Sequence, residues 1–144
     1  MSAFSYPATV TIDSTGFYLV TFPDVPEAGT DAETRDEALG EAVDSLIAAL
    51  GGYLHARRAI PQPSKAKRGQ VLVTLPTLVS VKLALHEVMR ETQVSNVDLG
   101  RRLSISEGAV RRLLDLDHRS HIGQVEVGLQ ALGRRLMVEV EEAA

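Results

Sequence analysis

Asn96-Val97-Asp98-Leu99-Gly100-Arg101-Arg102-Leu103-Ser104-Ile105-Ser106-Glu107-Gly108-Ala109-Val110 decides how the second half of this chain folds. A small residue midway through one helix, a tight turn four residues on and a β-branched residue six later is the spacing of a helix-turn-helix. Each position has a physical reason. Gly100 lets two helices approach closely, Ser104 and Ile105 make the turn with Ile105 pointing inward, Ser106 caps the second helix, and Val110 locks that helix onto the first. Gly100 stands where alanine is usual. Ser104 stands where glycine is usual, so it has to take a backbone conformation that glycine adopts freely.

Outward from this stretch the helical period continues. Leu78, Val81, Leu85, Val88 and Met89 mark an amphipathic helix from about Val79 to Glu91, and Ile122, Val125, Leu129 and Leu132 form a further stripe. Together they predict a compact all-α bundle that resembles a phage-repressor type of domain. Gly133 stops the last helix. Leu136, Val138 and Val140 then alternate with Met137, Glu139 and Glu141, the pattern of a short terminal strand. A lone strand is unstable, so pairing with a second copy is expected, which would place two recognition helices one DNA turn apart, about 34 Å. The alternative is that this segment extends the final helix.

The first half has a different period. Tyr6, Ala8, Val10 and Ile12 alternate with Thr9, Thr11 and Asp13, as in a strand with one buried face. Asp13-Ser14-Thr15-Gly16 supplies a turn, and Phe17 to Phe22 resumes as a second strand, closing a hairpin that Pro23 and Pro26 terminate. Gly29 to Ala32 reads as a short third strand. Thr34-Arg35-Asp36-Glu37 is a capping box, and Ala38, Leu39, Ala42, Val43, Leu46, Ile47 and Leu50 follow on one helical stripe that must lie on the hairpin sheet. Gly51-Gly52 is expected to end or bend this helix. Pro61 to Arg68 reads as a connector between differently built segments, and Gln70 to Leu75 as a final strand before Pro76. The fold class is therefore α+β, divided into residues 1–76 and an all-α unit at 77–144.

Composition narrows the chemistry. The 144 residues carry 15 Lys plus Arg against 19 Asp plus Glu, 4 His and no cysteine, which removes disulfides, thiolate nucleophiles and Cys-type zinc sites. The charge is unevenly placed. Residues 1–60 hold Arg35, Arg57 and Arg58 against nine acids, so that half repels nucleic acid and suits a basic partner. From Val79 onward nine basic residues nearly balance ten acids, yet arginines come in pairs at 101/102, 111/112 and 134/135. No stretch is long and apolar enough for a membrane helix, and MSAFSYPATV lacks the basic start and apolar centre of a signal peptide, so a cytoplasmic location is expected.

The order strand, strand, strand, helix, strand comes with particular words: Phe22-Pro23-Asp24-Val25-Pro26-Glu27, then Thr30 to Thr34 leading into Asp36-Glu37-Ala38-Leu39, and the Ile60-Pro61-Gln62-Pro63-Ser64 exit. In these the first half resembles the HicB family. Leu129-Gln130-Ala131-Leu132-Gly133-Arg134-Arg135-Leu136 also looks like HicB proteins with a helix-turn-helix tail, so the resemblance covers nearly the whole chain. It implies an antitoxin whose partial RNase H-like N-terminal domain covers a HicA-like ribonuclease toxin with a double-stranded-RNA-binding-like fold. It also implies a degenerate nuclease fold without a full ligand set, and hence no catalytic residues, metal or cofactor.

The candidate site residues follow from these two halves. Asp24 and Glu27, in the acidic loop, are the expected toxin contacts. Ser106, Glu107, Arg111 and Arg112 are expected to face the major groove of double-stranded operator DNA, an inverted repeat, with Asn96 beside them and Arg101 and Arg119 on phosphates. Leu136, Val138 and Val140 are the expected dimerisation residues. Plainer readings stand beside these: Arg111 and Arg112 as a solvated face, and Glu107 as a helix-start carboxylate instead of a cytosine acceptor. His118 and His121 are three apart without a third ligand, His55 and His86 read as helix-surface residues, and Asp13, Asp24 and Asp31 are the best carboxylates for nuclease chemistry. Three function classes result: an antitoxin that also represses its operon, a stand-alone repressor with a ligand-sensing or partner-sensing N-terminal domain, and a nuclease.

Overall fold

The computed structural model describes residues 4–143; residues 1–3 and 144, the outer ends of the two expected domains, lie outside the described residues. The chain runs β1 (Ser5–Ile12), β2 (Tyr18–Thr21), β3 (Gly29–Ala32), α1 (Arg35–His55), β4 (Val71–Thr74), α2 (Thr77–Thr92), α3 (Asn96–Leu103), α4 (Glu107–Leu114) and α5 (Ile122–Ala131). The four strands form one antiparallel sheet in the order β3-β2-β1-β4, with Val10 opposite Val20, Tyr6 opposite Val73 and Val20 opposite Thr30. The third strand matches its expected span.

α1 covers one face of this sheet because Ala38, Ala42, Leu46, Leu50 and Tyr53 recur every three or four residues and are all buried. They meet Tyr6, Ala8, Val20, Ala32 and Val73 from the strands. The Thr34 hydroxyl accepts from the Glu37 N–H, but the return bond from the Glu37 carboxylate is not made, so the expected capping box is half formed. Gly51-Gly52 does not end the helix, which continues to His55. The buried Tyr53 holds that extra turn against the core, and packing outweighs the propensity cost of about 1 kcal/mol per glycine.

The segment after α1 is no inter-domain connector. It returns to the same sheet as β4 and is pinned on the way: the Tyr6 hydroxyl donates to the Pro61 carbonyl at 2.7 Å, Ser64 bonds Asp24, and Gln70 holds the Lys67 N–H at 2.8 Å. Burial first, and the charges of Asp24 and Glu87 second, push the Tyr6 hydroxyl well above its ordinary value of 10.

Pro76, the last residue of the expected first domain, is the N-cap of α2, and α2 feeds both cores. Val79 and Leu83 belong to the first, whereas Val81, Leu85, Val88 and Met89 join Leu99, Val110, Leu113, Val125 and Leu129 in the second. The exit of α1 is fastened to α2 as well: the Ile60 N–H donates to Glu87 at 2.8 Å, Arg90 donates to the Arg57 carbonyl, and His86 Nε2 lies 2.8 Å from the Arg58 carbonyl. His86 is thus a buried bridge, not the surface residue expected from its isolation in sequence.

Residues 134–143 form neither a helix nor a laddered strand in the single chain, so the expected terminal strand is not formed among the described residues, nor does this segment extend the final helix.

Lys82 is fully buried in α2. Its Nζ donates to the carbonyls of Arg112, Asp115 and His118 at 3.0, 2.6 and 2.7 Å and lies 2.9 Å from the Ser120 hydroxyl. Burial pulls its pKa down and the Asp115 charge pulls it back up; three carbonyls that can only accept hold the group as an ammonium. Lys82→Met fills much the same space but removes a charge-assisted bond from each carbonyl, leaving Arg112, Asp115 and His118 only the N–H groups of Asp115, His118 and Ser120 and the Ser120 hydroxyl. With hydrogen bonds to a charged group contributing roughly 1.5–3 kcal/mol each, it should cost at least about 2 kcal/mol. Urea unfolding checks this, and an unchanged midpoint contradicts it.

Candidate functional site

The loop after β2 is set by its apolar pins. Val25 and Ala28 are buried, and their N–H groups bond the carbonyls of Phe22 and Val25, leaving Asp24 and Glu27 on the rim. Neither carboxylate is idle. Asp24 Oδ2 accepts the N–H and hydroxyl of Ser64, both at 2.9 Å. Glu27 accepts the Tyr53 hydroxyl at 2.9 and 2.7 Å on its two oxygens, and Arg58 lies 4.0 Å from it while stacking 4.4 Å above the Tyr53 ring. The Tyr53 hydrogen bond, aided by a backbone bond and by Arg58, holds Glu27 below the ordinary value of 4.5, and the same bond raises Tyr53 above 10.

A larger acidic surface lies elsewhere on the same unit. Asp31 on β3, Glu33, and Asp36, Glu37, Glu41 and Asp44 on the outer side of α1 are all exposed and form no ion pair among the described residues. The sequence signal was present in the spacing of Glu37, Glu41 and Asp44 along one helical stripe. As for nuclease chemistry, Asp13 accepts bonds from Thr15 and Phe17, Asp24 is committed to Ser64, and no group of three or more His, Asp or Glu among the described residues is placed to hold a metal.

The second surface is built by α3 and α4. Ser95 caps α3 in a reciprocal box with Asp98, a signal overlooked in the sequence. Ser104 takes the left-handed conformation, φ 56° and ψ 43°, as the turn demands. A Cβ on Gly100 would lie 2.8 Å from the Ile105 carbonyl oxygen, which explains why glycine replaces alanine here. Ile105 is 37% exposed and does not point inward; the turn is held by its N–H on the Gly100 carbonyl at 2.9 Å, and Val110, fully buried, supplies the packing. The Ser106 hydroxyl caps α4 by accepting the Ala109 N–H.

On α4, Glu107, Arg111 and Arg112 are exposed. Arg111 Nη2 and Arg112 Nη1 each come within 3.9 Å of where a Cβ on Gly108 would lie, so both guanidiniums fold back over the first turn. Two cations gathered at the positive end of a helix favour an anion or a row of base acceptors. Asn96, Glu107 and Arg111 line a groove of about 930 Å³ between α4 and the ends of α1 and α2. Arg112 lies on the other flank of α4, beside a cleft of about 260 Å³ shared with Ile105 and Val127. Arg101 pairs with Asp98 at 3.8 Å, and Arg119 stands exposed in the loop before α5. Of the tail residues, Leu136 packs partly on the second core, while Val138 and Val140 are exposed.

An acidic α+β unit fastened to a small helical bundle is thus the frame, and residues 5–84 match the family described as the HicB-like antitoxin of bacterial toxin-antitoxin systems. The class is therefore an antitoxin, one member of a toxin-antitoxin pair. Relatives extend the match through the helical half. The chain is 38% identical over 131 residues to Antitoxin HicB 2 of Photorhabdus laumondii, covering 91% of this chain and 92% of that protein. It is 37% identical to Antitoxin HicB of Pseudomonas fluorescens over 83% of each, and 33% identical to Antitoxin HicB of Escherichia coli over 91% and 95%. The chain belongs to the HicB family.

The Glu27–Tyr53 bond makes a signed prediction. Because the folded carboxyl lies below 4.5, its stabilising effect is present above that pH and is lost as pH falls through the folded value. Tyr53→Phe should move the Glu27 carboxyl midpoint, followed by carbon NMR, up toward the ordinary value. A midpoint unaffected by Tyr53→Phe would assign the shift to another cause.

Proposed function

We propose that this antitoxin neutralises a HicA-like, RNA-cleaving ribonuclease by occluding it with the acidic unit at residues 1–76, and represses its own operon through the helix-turn-helix of residues 77–144. The division of charge carries the reading: unpaired carboxylates lie on β3 and α1, whereas Arg111 and Arg112 gather over the first turn of α4. A basic ribonuclease is drawn to the first surface and DNA is repelled by it. Complementary charge raises the association rate more than the affinity, so added salt should slow toxin binding most visibly. The toxin-facing surface includes the Asp24–Glu27 loop and extends along β3 and α1.

In this reading α4 enters the major groove with Ser106, Glu107, Arg111 and Arg112 toward base edges and Asn96 beside them, while Arg101 and Arg119 hold phosphates. A homodimer formed through Leu136, Val138 and Val140 matches an inverted-repeat operator. No step needs a catalytic residue, metal or cofactor, and both partners place the protein in the cytoplasm.

The full-length Arg111→Ala, Arg112→Ala double variant tests the assignment of functions to halves. Losing a bidentate arginine–guanine contact should cost about 1–3 kcal/mol at one base position, whereas Arg101→Ala should weaken all sequences alike. Protection from the co-expressed toxin should survive the double variant. Unchanged operator binding sinks the α4 assignment, and loss of toxin protection in a folded variant sinks the division between halves.

In kinetic assays with the cognate toxin, Glu37→Lys with Glu41→Lys should lower the association rate at least about tenfold at low salt, with a smaller effect at high salt. An unchanged rate removes α1 from the toxin-facing surface.

A further inference from the structure

The last described residues leave the bundle from a fixed point. Gly133 is left-handed at φ 76°, its N–H bonds the Gln130 carbonyl, and the Arg134 N–H bonds the Leu129 carbonyl. Beyond it Leu136 is half buried against the second core, while Met137, Val138 and Val140 are 79%, 76% and 93% exposed. Alternating apolar side chains on a segment that is neither helical nor laddered are the pattern of a strand without its neighbour.

The charges of this segment reverse about its centre. Arg134 and Arg135 precede Val138, and Glu139, Glu141 and Glu142 follow it. Resting on the reading of the helical half as a dimeric DNA-binding unit, we propose that two copies of this chain pair their tails antiparallel in a single register, with Val138 facing Val138 across the two-fold axis. Leu136 then faces Val140, Arg135 faces Glu141 and Arg134 faces Glu142, each twice by symmetry. The apolar residues share the face that half-buried Leu136 turns to the bundle. Arg134 already lies 3.3 Å from Glu91, so Glu142 joins an existing pair. Arg135 has no ion pair among the described residues, and the second copy supplies its carboxylate.

Neighbouring registers are worse. Opposed residues share a face, so a two-fold ribbon needs one residue facing itself. Centring on Glu139 puts two carboxylates together and sets Leu136 against Glu142. Centring on Met137 leaves Arg134 against Val140 and keeps only Arg135 with Glu139. The register on Val138 alone satisfies both arginines and buries apolar residue against apolar residue.

The chain has no cysteine, so one introduced cysteine reports the register without background. Under mild oxidation the full-length Val138→Cys protein should form a covalent dimer, whereas Met137→Cys and Glu139→Cys should not. By sedimentation equilibrium, Arg135→Glu should weaken self-association on the order of tenfold or more, and adding Glu141→Arg should restore it. That mutual rescue is not expected of two residues with unrelated structural roles. A monomeric protein, crosslinking at 137 or 139 instead of 138, or a double variant as weak as the single one overturns the register. Operator binding is measured on the same proteins. A Val138→Cys dimer that ignores operator DNA upholds the ribbon and removes the DNA reading; an operator-binding dimer that crosslinks at none of the three positions removes the ribbon and leaves the DNA reading standing.

Discussion

Within the helical half one ammonium does what sequence-local capping cannot. Lys82, on α2, reaches the last turn of α4 at Arg112, its C-cap at Asp115, and His118 and Ser120 in the loop to α5. Each of these carbonyls already accepts one local backbone N–H, and the buried cation takes up their remaining acceptor capacity and complements the negative end of the helix. The next residue, Leu83, lies in the core of the sheet domain. A single turn of α2 therefore carries the orientation of α4 on one side and the packing of the sheet on the other. The exit of α1 is fastened to the same helix by Glu87, His86 and Arg90, so the acidic unit and the arginine-bearing helix share a rigid wall.

What the sequence discloses is what short-range physics decides. The strand at Tyr6 to Ile12, the turn at Asp13 to Gly16, the stripe from Ala38 to Leu50 and the Ser106 cap depend on neighbours a few residues away, and each element is found where the pattern placed it, although the buried face of the strand stops short of Ile12, which is exposed. The misreadings have long-range causes. His86 reads as a surface residue of α2, and its neighbour Lys82 gives no signal of burial, until carbonyls about thirty positions away close over them. Gly51-Gly52 remains helical because Tyr53 finds the core, and Ile105 turns outward because Gly100 brings the backbone in close enough for hydrogen bonding to replace side-chain packing. At the candidate surfaces the residue types were legible but their grouping was not: Asn96, Glu107 and Arg111 share a groove, while Arg112 lines a separate cleft.

The carboxylates divide in a similar way. Those in the Asp24–Glu27 loop serve the fold, tying down Ser64 and Tyr53, whereas those along β3 and α1 are exposed and outside any ion pair among the described residues, Glu41 alone accepting the Thr30 hydroxyl. A surface whose carboxylates are mostly unspent inside the molecule can meet a cationic partner without first breaking internal bonds. The loop can still frame that surface, since its shape is fixed by the same bonds that occupy its side chains.

The strand order also carries a consequence for biosynthesis. β4 completes the sheet from the far side of β1, and Val79 and Leu83 of α2 complete its core, so the first domain cannot close until the ribosome has delivered residue 83. Until then one edge of β1 stays open. α3 and α4 follow α2 in the chain and so emerge after it. With N-terminal units folding first as the chain is extended, all four strands and every fully buried residue of the first core are free to assemble before the arginine-bearing helix has emerged.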